Sequence, residues 1–549
     1  MNKIYLILGF IVCVPCLLPG QDQSAYTRED TLRGSITAER AWWDVTFYDL
    51  HVSIDPEDSL IRGYNNITYR VTGKPVRMQI DLQKPLEIDR IVQDDRELSY
   101  ERKGPVHFIE PPAGLQTGSL YTLTVHYSGQ PRVAANPPWD GGFVWESDPN
   151  GNPWIATANQ GIGASVWWPN KDHQSEQPDS MAMHITVADS LINVSNGRLR
   201  DKTVNGDGTA TWSWFVSQPI NNYNVAINAG NYVHFGDTYE GKNGLLDLDY
   251  WVLEHNLARA KAQFTQVKPM LDCFEHWFGP YPFYEDSYKI VETPYLGMEH
   301  QSAIGYGNNF TNGYRGNDLS GTGWGLKFDF IIIHETGHEW WGNSITSKDI
   351  ADMWVHEGFT NYSESLYVEC MFGKEAGAEY VIGTRTDINN DMPVIGRYGV
   401  NQPGSGDMYA KGGNLLHTIR HIIDDDHTWL RILRGLTETY HQRIVTSDQI
   451  EGFINRHSHY DLAGVFDQYL RHTEIPVFQY YIDDGKLNYR WQSDTAGFDM
   501  PVRARLSDSG FSFIQPLDGQ WQSTPVSLDD PSSFEVDENF YVAVEYYSP

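Results

Sequence analysis

In the run FDFIIIHETGHEWWGN, His334 and His338 are four residues apart. On a helix that spacing puts both imidazoles on one face, about a turn apart. Neutral imidazoles so placed can chelate Zn²⁺, and Glu335, one residue round the helix, falls beside the metal without being a ligand to it. That is the position of a base that takes a proton from water. A hydrolytic zinc centre also needs a third protein ligand and one open position. The following helical segment, DIADMWVHEGFTNYSESLYVE, supplies Glu357, with eighteen residues between it and His338. Two histidines and a carboxylate complete a ligand set for one Zn²⁺ per chain. Glu364, two turns beyond Glu357 on the same face, is placed either to orient the far nitrogen of a liganding histidine or to face solvent as an ordinary surface carboxylate.

These groups must be held by helices, and the pattern provides them. From about residue 249 apolar residues recur at helical spacing, as in LEHNLARAKAQFTQVKPMLDCFEHWF, until Gly279 and Pro280 stop the run. Further helices are expected around 325–341, 352–372, 374–391, 409–424, 427–442, 447–456 and 462–471. Before them, from Trp43 to about Asn231, short alternating runs such as YDLHVSI and MAMHITV describe a large antiparallel β domain. After them, FQYYID, KLNYRW and FYVAVEYY, separated by turn residues, describe a small C-terminal β-sandwich. The fold class is therefore α+β and multidomain, with an N-terminal β domain over 21–240, a mainly helical catalytic domain over 241–473 and a β-sandwich over 474–549.

With 549 residues the chain exceeds a single core, and its 13% aromatic content is that of an ordered protein. Forty Lys and Arg against 72 Asp and Glu give a net charge of -32, which repels nucleic acid and anionic membrane surfaces. Residues 1–20 carry one early Lys and then an apolar run, the pattern of a secretory signal. The expectation is an exported protein, periplasmic or extracellular. The run could just span a bilayer as an anchor, but Val14 and Pro15 before Cys16 fit a lipidation signal poorly. Loss of the signal leaves Cys273 and Cys370, which could pair or stay as free buried thiols. Oligomerisation is left open.

The spacing His334-Glu335-x-x-His338-x₁₈-Glu357 resembles that of the M1 family of gluzincin metallopeptidases, the aminopeptidase N and leukotriene hydrolase family. Other stretches agree. WVHEGFTNYSE is similar to the family's ligand helix, and FGPYPFYEDSYKIVETP to the stretch leading to its substrate motif. Where the family has G-x-M-E-N this chain has LGMEH, so the resemblance implies that Gly297 and Met298 lie along bound substrate and that Glu299 binds its free N-terminal amine. His300 replaces the family's Asn. MYAKGG matches Y-x-K-G, making Tyr409 the implied oxyanion-stabilising phenol, and Gln160 in QGIGASVWWPNKD falls where the family places Gln or Glu beside the amine. The family's Arg in that segment is Ser165 here. The likeness, over about 40–480, implies a thermolysin-like catalytic domain and a short form without the family's large C-terminal helical domain.

The reading that results is a zinc aminopeptidase acting on peptides with free N-termini. A zinc endopeptidase or an epoxide hydrolase would share the metal site, and Glu299 argues against the first. A non-catalytic binding module would be expected to have lost a ligand or Glu335, and all four residues are present. The sequon at Asn361 falls on the expected ligand helix and is read as a chance match.

Overall fold

The computed structural model describes residues 26–548. The segment read as a secretory signal, with Cys13 and Cys16, lies outside them. Among the described residues no helix is long and apolar enough to cross a membrane.

The N-terminal region is built on an eight-stranded sheet, ordered Arg198–Val204, Thr209–Val216, Ser180–Ala188, Trp43–Asp55, Leu60–Val71, Leu120–Gly129, Glu87–Gln93 and Arg96–Glu97. Strict alternation of buried and part-exposed positions, clearest along Ser180–Ala188 and Thr209–Val216, turns one face onto a core containing Leu50, Val52, Met183, Ile185 and Trp168. The sheet is mixed where uniform antiparallel pairing was expected. Trp43–Asp55 and Ser180–Ala188 run parallel, with Leu50 opposite Met183, because the long segment between them crosses over to reach the neighbouring position. A four-stranded sheet, Ile192–Val194, Asn228–Gly230, Pro153–Ala158 and Gly142–Ser147, leads the chain toward Gln160.

A five-stranded sheet opens the second region, ordered Tyr232–Gly241, Gly244–Leu253, Tyr288–Glu292, Ile304–Tyr306 and Gly297–Met298. Its first hairpin straddles residue 240, so a division there cuts a paired unit whose side chains Tyr239, Leu246 and Leu248 all enter the helical region's core. The helices expected from periodicity are present: Val267–Phe278, Phe330–Gly337, Trp354–Phe372, Lys374–Gly383, Ala410–Ile423, Asp426–Thr439, Ser447–Ser458 and Ala463–Arg471. The helix expected over 325–341 is shorter. It begins at Phe330, capped by Asp329, and ends at Gly337. Wide backbone bonds (Asn343 N to His338 O at 2.9 Å, Ile345 N to Trp340 O at 3.1 Å) then turn the chain out of it.

The C-terminal strands form a four-stranded sheet, Gln522–Pro525, Lys486–Gln492, Val477–Asp483 and Ala543–Tyr546, beside the pair Val502–Ser507 and Gly510–Ile514. Phe478, Leu487, Trp491 and Phe540 share one continuous core with the helices. Contacts to the back of the Ala410–Ile423 helix add to this: Tyr541 N donates to Thr418 Oγ1 at 3.0 Å, and a ring nitrogen of His417 lies 2.9 Å from Asn539 Oδ1. Cys273 and Cys370 are joined as a disulfide, their Cα atoms 6.1 Å apart, tying the Val267–Phe278 helix to the end of the Trp354–Phe372 helix.

Candidate metal centre and substrate cleft

The helix Phe330–Gly337 is buried all round, as its run of three isoleucines requires. Asp329 holds its start, accepting from Ile331 N at 3.1 Å and from Tyr306, Asn308 and Gln263 side chains. His334 and His338 leave one side of it, their Nε2 atoms 3.3 Å apart. The helix Trp354–Phe372 crosses beneath and brings Glu357 Oε2 to 3.2 Å from His338 Nε2 and 3.7 Å from His334 Nε2. All three residues are buried.

The far nitrogens decide the tautomers. His334 Nδ1 lies 2.7 Å from Glu364 Oε1, and His338 Nδ1 lies 3.0 Å from the carbonyl oxygen of Trp341. Both partners are acceptors, so each Nδ1 carries a hydrogen, and a neutral ring in either place turns its Nε2 lone pair inward. Glu364 thus takes the orienting position, and Tyr380 steadies it with a 2.7 Å hydrogen bond. The carbonyl on His338 carries no side-chain signature, and sequence reasoning missed it. Two lone pairs now face a carboxylate oxygen, Glu357 Oε2, that is buried without a hydrogen-bond partner. Only a cation or protons can fill that gap. Burial alone would lower the His338 imidazole, yet the Glu357 carboxylate beside it raises it to about 9, a measure of how strongly the site favours positive charge. Two imidazoles and one carboxylate at this spacing fit zinc.

Glu335 is not part of this triangle. Its carboxylate is within 4.8 Å of ligand atoms of His338 and Glu299. Burial pushes it up to about 7, against the pull of His334 and with a push from Glu299. Glu299 enters from the edge strand Gly297–Met298, which lies close against the metal helix: a Cβ on Gly297 would stand 2.7 Å from Glu335 Oε1 and 2.8 Å from Ile331 Cγ2. Only glycine allows that approach. Gln160 Nε2 donates to Glu299 Oε1 at 2.5 Å and to Glu357 Oε1 at 3.0 Å, bridging the strand to the ligand helix. Its loop is pinned by Asn159, whose Nδ2 reaches the carbonyls of Tyr223 and Val225 at 3.2 Å.

These groups line one cleft of about 680 Å³, together with Met298, Tyr409, Trp139, Tyr314 and Tyr223. The Tyr409 ring stands 6.1 Å from the His334 ring, nearly parallel to it. Burial, with Glu357, Glu299 and Glu335 nearby, holds its phenol well above its ordinary value, so it stays a donor. Tyr223, from the short turn Asn222–Asn224, is a further buried phenol raised by burial and by Glu299 and Glu357. No motif marks it. His300 lies outside the cleft lining, fully buried, and burial lowers its imidazole to about 3. Ser165 has a structural task, donating to Asp172 Oδ2 at 2.5 Å and accepting from Gln83. Asn361 is buried on the ligand helix beside the cleft, which excludes glycosylation there.

The profile of the Peptidase family M1 domain matches residues 263–469. Aminopeptidase N of Lactobacillus helveticus is 21% identical over 538 residues, covering 91% of this chain and 60% of its own length. Leucine aminopeptidase 2 of Vanderwaltozyma polyspora is 22% identical over 370 residues, 66% of this chain and 51% of that protein. The chain thus spans little more than half the length of these relatives. Among solved structures, a two-domain M1 zinc metallopeptidase bound to L-tryptophan superposes with a TM-score of 0.67 at 19% identity, covering 79% of this chain and 96% of that one. An M1 zinc metallopeptidase from Deinococcus radiodurans bound to a Tyr-Ser-Ala substrate gives 0.66 at 18% identity, covering 80% and 96%. Residues 263–469, which include His334, His338 and Glu357, thus match the Peptidase family M1 domain, and the chain shares the fold of solved two-domain M1 zinc metallopeptidases.

Proposed function

We propose that this chain is a zinc-dependent aminopeptidase that removes the first residue from peptides with a free N-terminal amine. One observation carries the reading: four carboxylates, Glu299, Glu335, Glu357 and Glu364, are buried around two imidazoles in one cleft. Buried carboxylates in that number keep their charge only beside cationic partners. A divalent ion on His334, His338 and Glu357 and a substrate ammonium beside Glu299 and Gln160 are partners of the right charge. The relatives named aminopeptidase support the same reading.

Zinc, when bound, would polarise the scissile carbonyl and make water a better acid. The remaining work falls to the chain. Glu335, pushed up to about 7 by burial, accepts a proton from water at its carboxylate and returns it to the departing amine. Glu299 and Gln160 fix the α-amine, so only the peptide bond next to a free terminus reaches Glu335. An endopeptidase would gain nothing from that buried carboxylate. Tyr409 donates its phenolic hydrogen toward the oxyanion, a contribution of about 3 to 4 kcal/mol for one such donor. Met298 and Gly297 form the wall along the first residue.

The proposal extends to compartment. Residues 1–20 have the pattern of a secretory signal, and a disulfide between Cys273 and Cys370 suits an oxidising compartment, so we place the enzyme outside the cytoplasm. The test of the activity is a free aminoacyl reporter assayed before chelation, after it and after zinc return, for the parent and for Glu335→Gln. The parent should lose and regain turnover with zinc, and the variant should bind zinc and stay inactive. A variant with parental turnover would remove Glu335 from the reaction.

A further inference from the structure

The outer face of the eight-stranded sheet carries a second cluster of His and Asp side chains, on strands apart from the helices that hold His334, His338 and Glu357. Alternation along Trp43–Asp55 buries Leu50 and Val52 and turns Asp49 and His51 outward. The neighbouring strands bring Asn66 opposite Asp49, and Tyr64 and His184 opposite His51. Two cross-strand rows result: Thr124, Asn66 and Asp49 in one, and His126, Tyr64, His51, His184 and Ser213 in the other.

The rows divide the labour of a metal site. In the first, Thr124 Oγ1 donates to Asn66 Oδ1 at 2.8 Å and Asn66 Nδ2 donates to Asp49 Oδ2 at 3.0 Å, which leaves Oδ1 of Asp49 for the second row. There His51 Nε2 lies 3.0 Å and His184 Nε2 3.3 Å from Asp49 Oδ1, and the three donor atoms lie within 4.8 Å of one another. The far nitrogen of His184 is held 2.8 Å from Ser213 Oγ, and the His51 ring is stacked between Tyr64 and His184 with centroids 4.3 and 4.2 Å away. Such outer contacts are how proteins hold liganding imidazoles and carboxylates in place.

Bonds of about 2.0 to 2.2 Å to a tetrahedral ion put neighbouring donor atoms about 3.4 Å apart, close to the spacings seen here. The two nearly parallel rings need only tilt their Nε2 edges together. Side-chain exposures of 30% for His51 and 28% for His184 leave room for that and open a path from solvent. We propose that Asp49, His51 and His184 bind one divalent transition-metal ion of borderline softness, of the Zn²⁺, Co²⁺ and Ni²⁺ class, separate from the ion of the cleft. Two imidazoles select this class over Mg²⁺ and Ca²⁺, which prefer oxygen ligands.

Equilibrium dialysis of the full chain against micromolar Zn²⁺, followed by elemental analysis, tests the site. The parent should bind one equivalent more than H51N or H184N, and D49N should weaken that equivalent at least tenfold. H338N should keep the equivalent that H51N lacks, whatever the cleft holds. Equal zinc content in the parent, H51N and H184N would overturn the proposal. As a measurement free of substitutions, Zn²⁺ should shift the imidazole resonances of His51 and His184 in the parent. Resonances that respond to pH and ignore Zn²⁺ would show an aspartate–histidine ion pair only, and would also overturn it.

Discussion

Gly358 and Gly412 meet backbone to backbone: a Cβ on Gly412 would stand 2.8 Å from the Cα of Gly358. Gly358 follows the ligand Glu357, and Gly412 lies one turn after Tyr409, so this contact sets how closely the Ala410–Ile423 helix approaches the ligand helix. It thereby sets how the Tyr409 ring stands against His334, 6.1 Å between ring centres.

Gly412→Ala should force the two helices apart. Overpacking of this kind costs about 1 to 3 kcal/mol of stability, and a catalytic group moved by about an ångström can cost 100-fold in rate. Turnover should fall about 10- to 100-fold while zinc content is unchanged, as read by steady-state kinetics and metal analysis on the same sample. Unaltered kcat would mean that the helix contact does not position Tyr409.

Glu364→Ala should weaken zinc binding about 10- to 100-fold, the usual effect of losing an orienting partner. His334 Nδ1 then loses its acceptor at 2.7 Å and the Tyr380 hydroxyl loses its own. Glu364→Gln keeps an acceptor oxygen and should lose less. Competition with a zinc-binding dye measures both, and equal affinities in the parent and Glu364→Ala would refute the orienting role.

Cys370→Ser opens a bridge that spans 97 residues. Loss of such a cross-link costs about 2 to 4 kcal/mol. The denaturation midpoint should fall to that of the reduced parent, with kcat and KM in folded conditions little changed. A variant as stable as the oxidised parent would show that the bridge contributes nothing.

Much of this was legible in the residues themselves. The His334, Glu335, His338 spacing, the helix that carries Glu357, and Glu364 two turns on are local periodic facts, and the structure brings the side chains to one point. What escaped depends on contacts between distant segments. Nothing near residue 240 announces that Tyr232–Gly241 pairs forward with Gly244–Leu253 and belongs with the helical region. The C-terminal strands are legible as a further β unit, but their alternation does not reveal that Phe478 and Trp491 share the helices' core. Tyr223 and the Trp341 carbonyl reach the site through a turn and a backbone atom, neither of which has a residue pattern to find.

The central claim is that Glu299 makes this a zinc enzyme of free N-termini. Its most direct test compares matched reporters, one with a free amine and one acetylated, on the parent and on Glu299→Ala. A blocked terminus leaves the buried carboxylate unpaired, at a cost of about 2 to 5 kcal/mol. The parent should therefore prefer the free amine by a factor of at least about 30 in kcat/KM, and the variant should lose most of that preference through slower cleavage of the free substrate. Equal cleavage of both reporters by the parent, or a preference that survives in Glu299→Ala, would contradict the account.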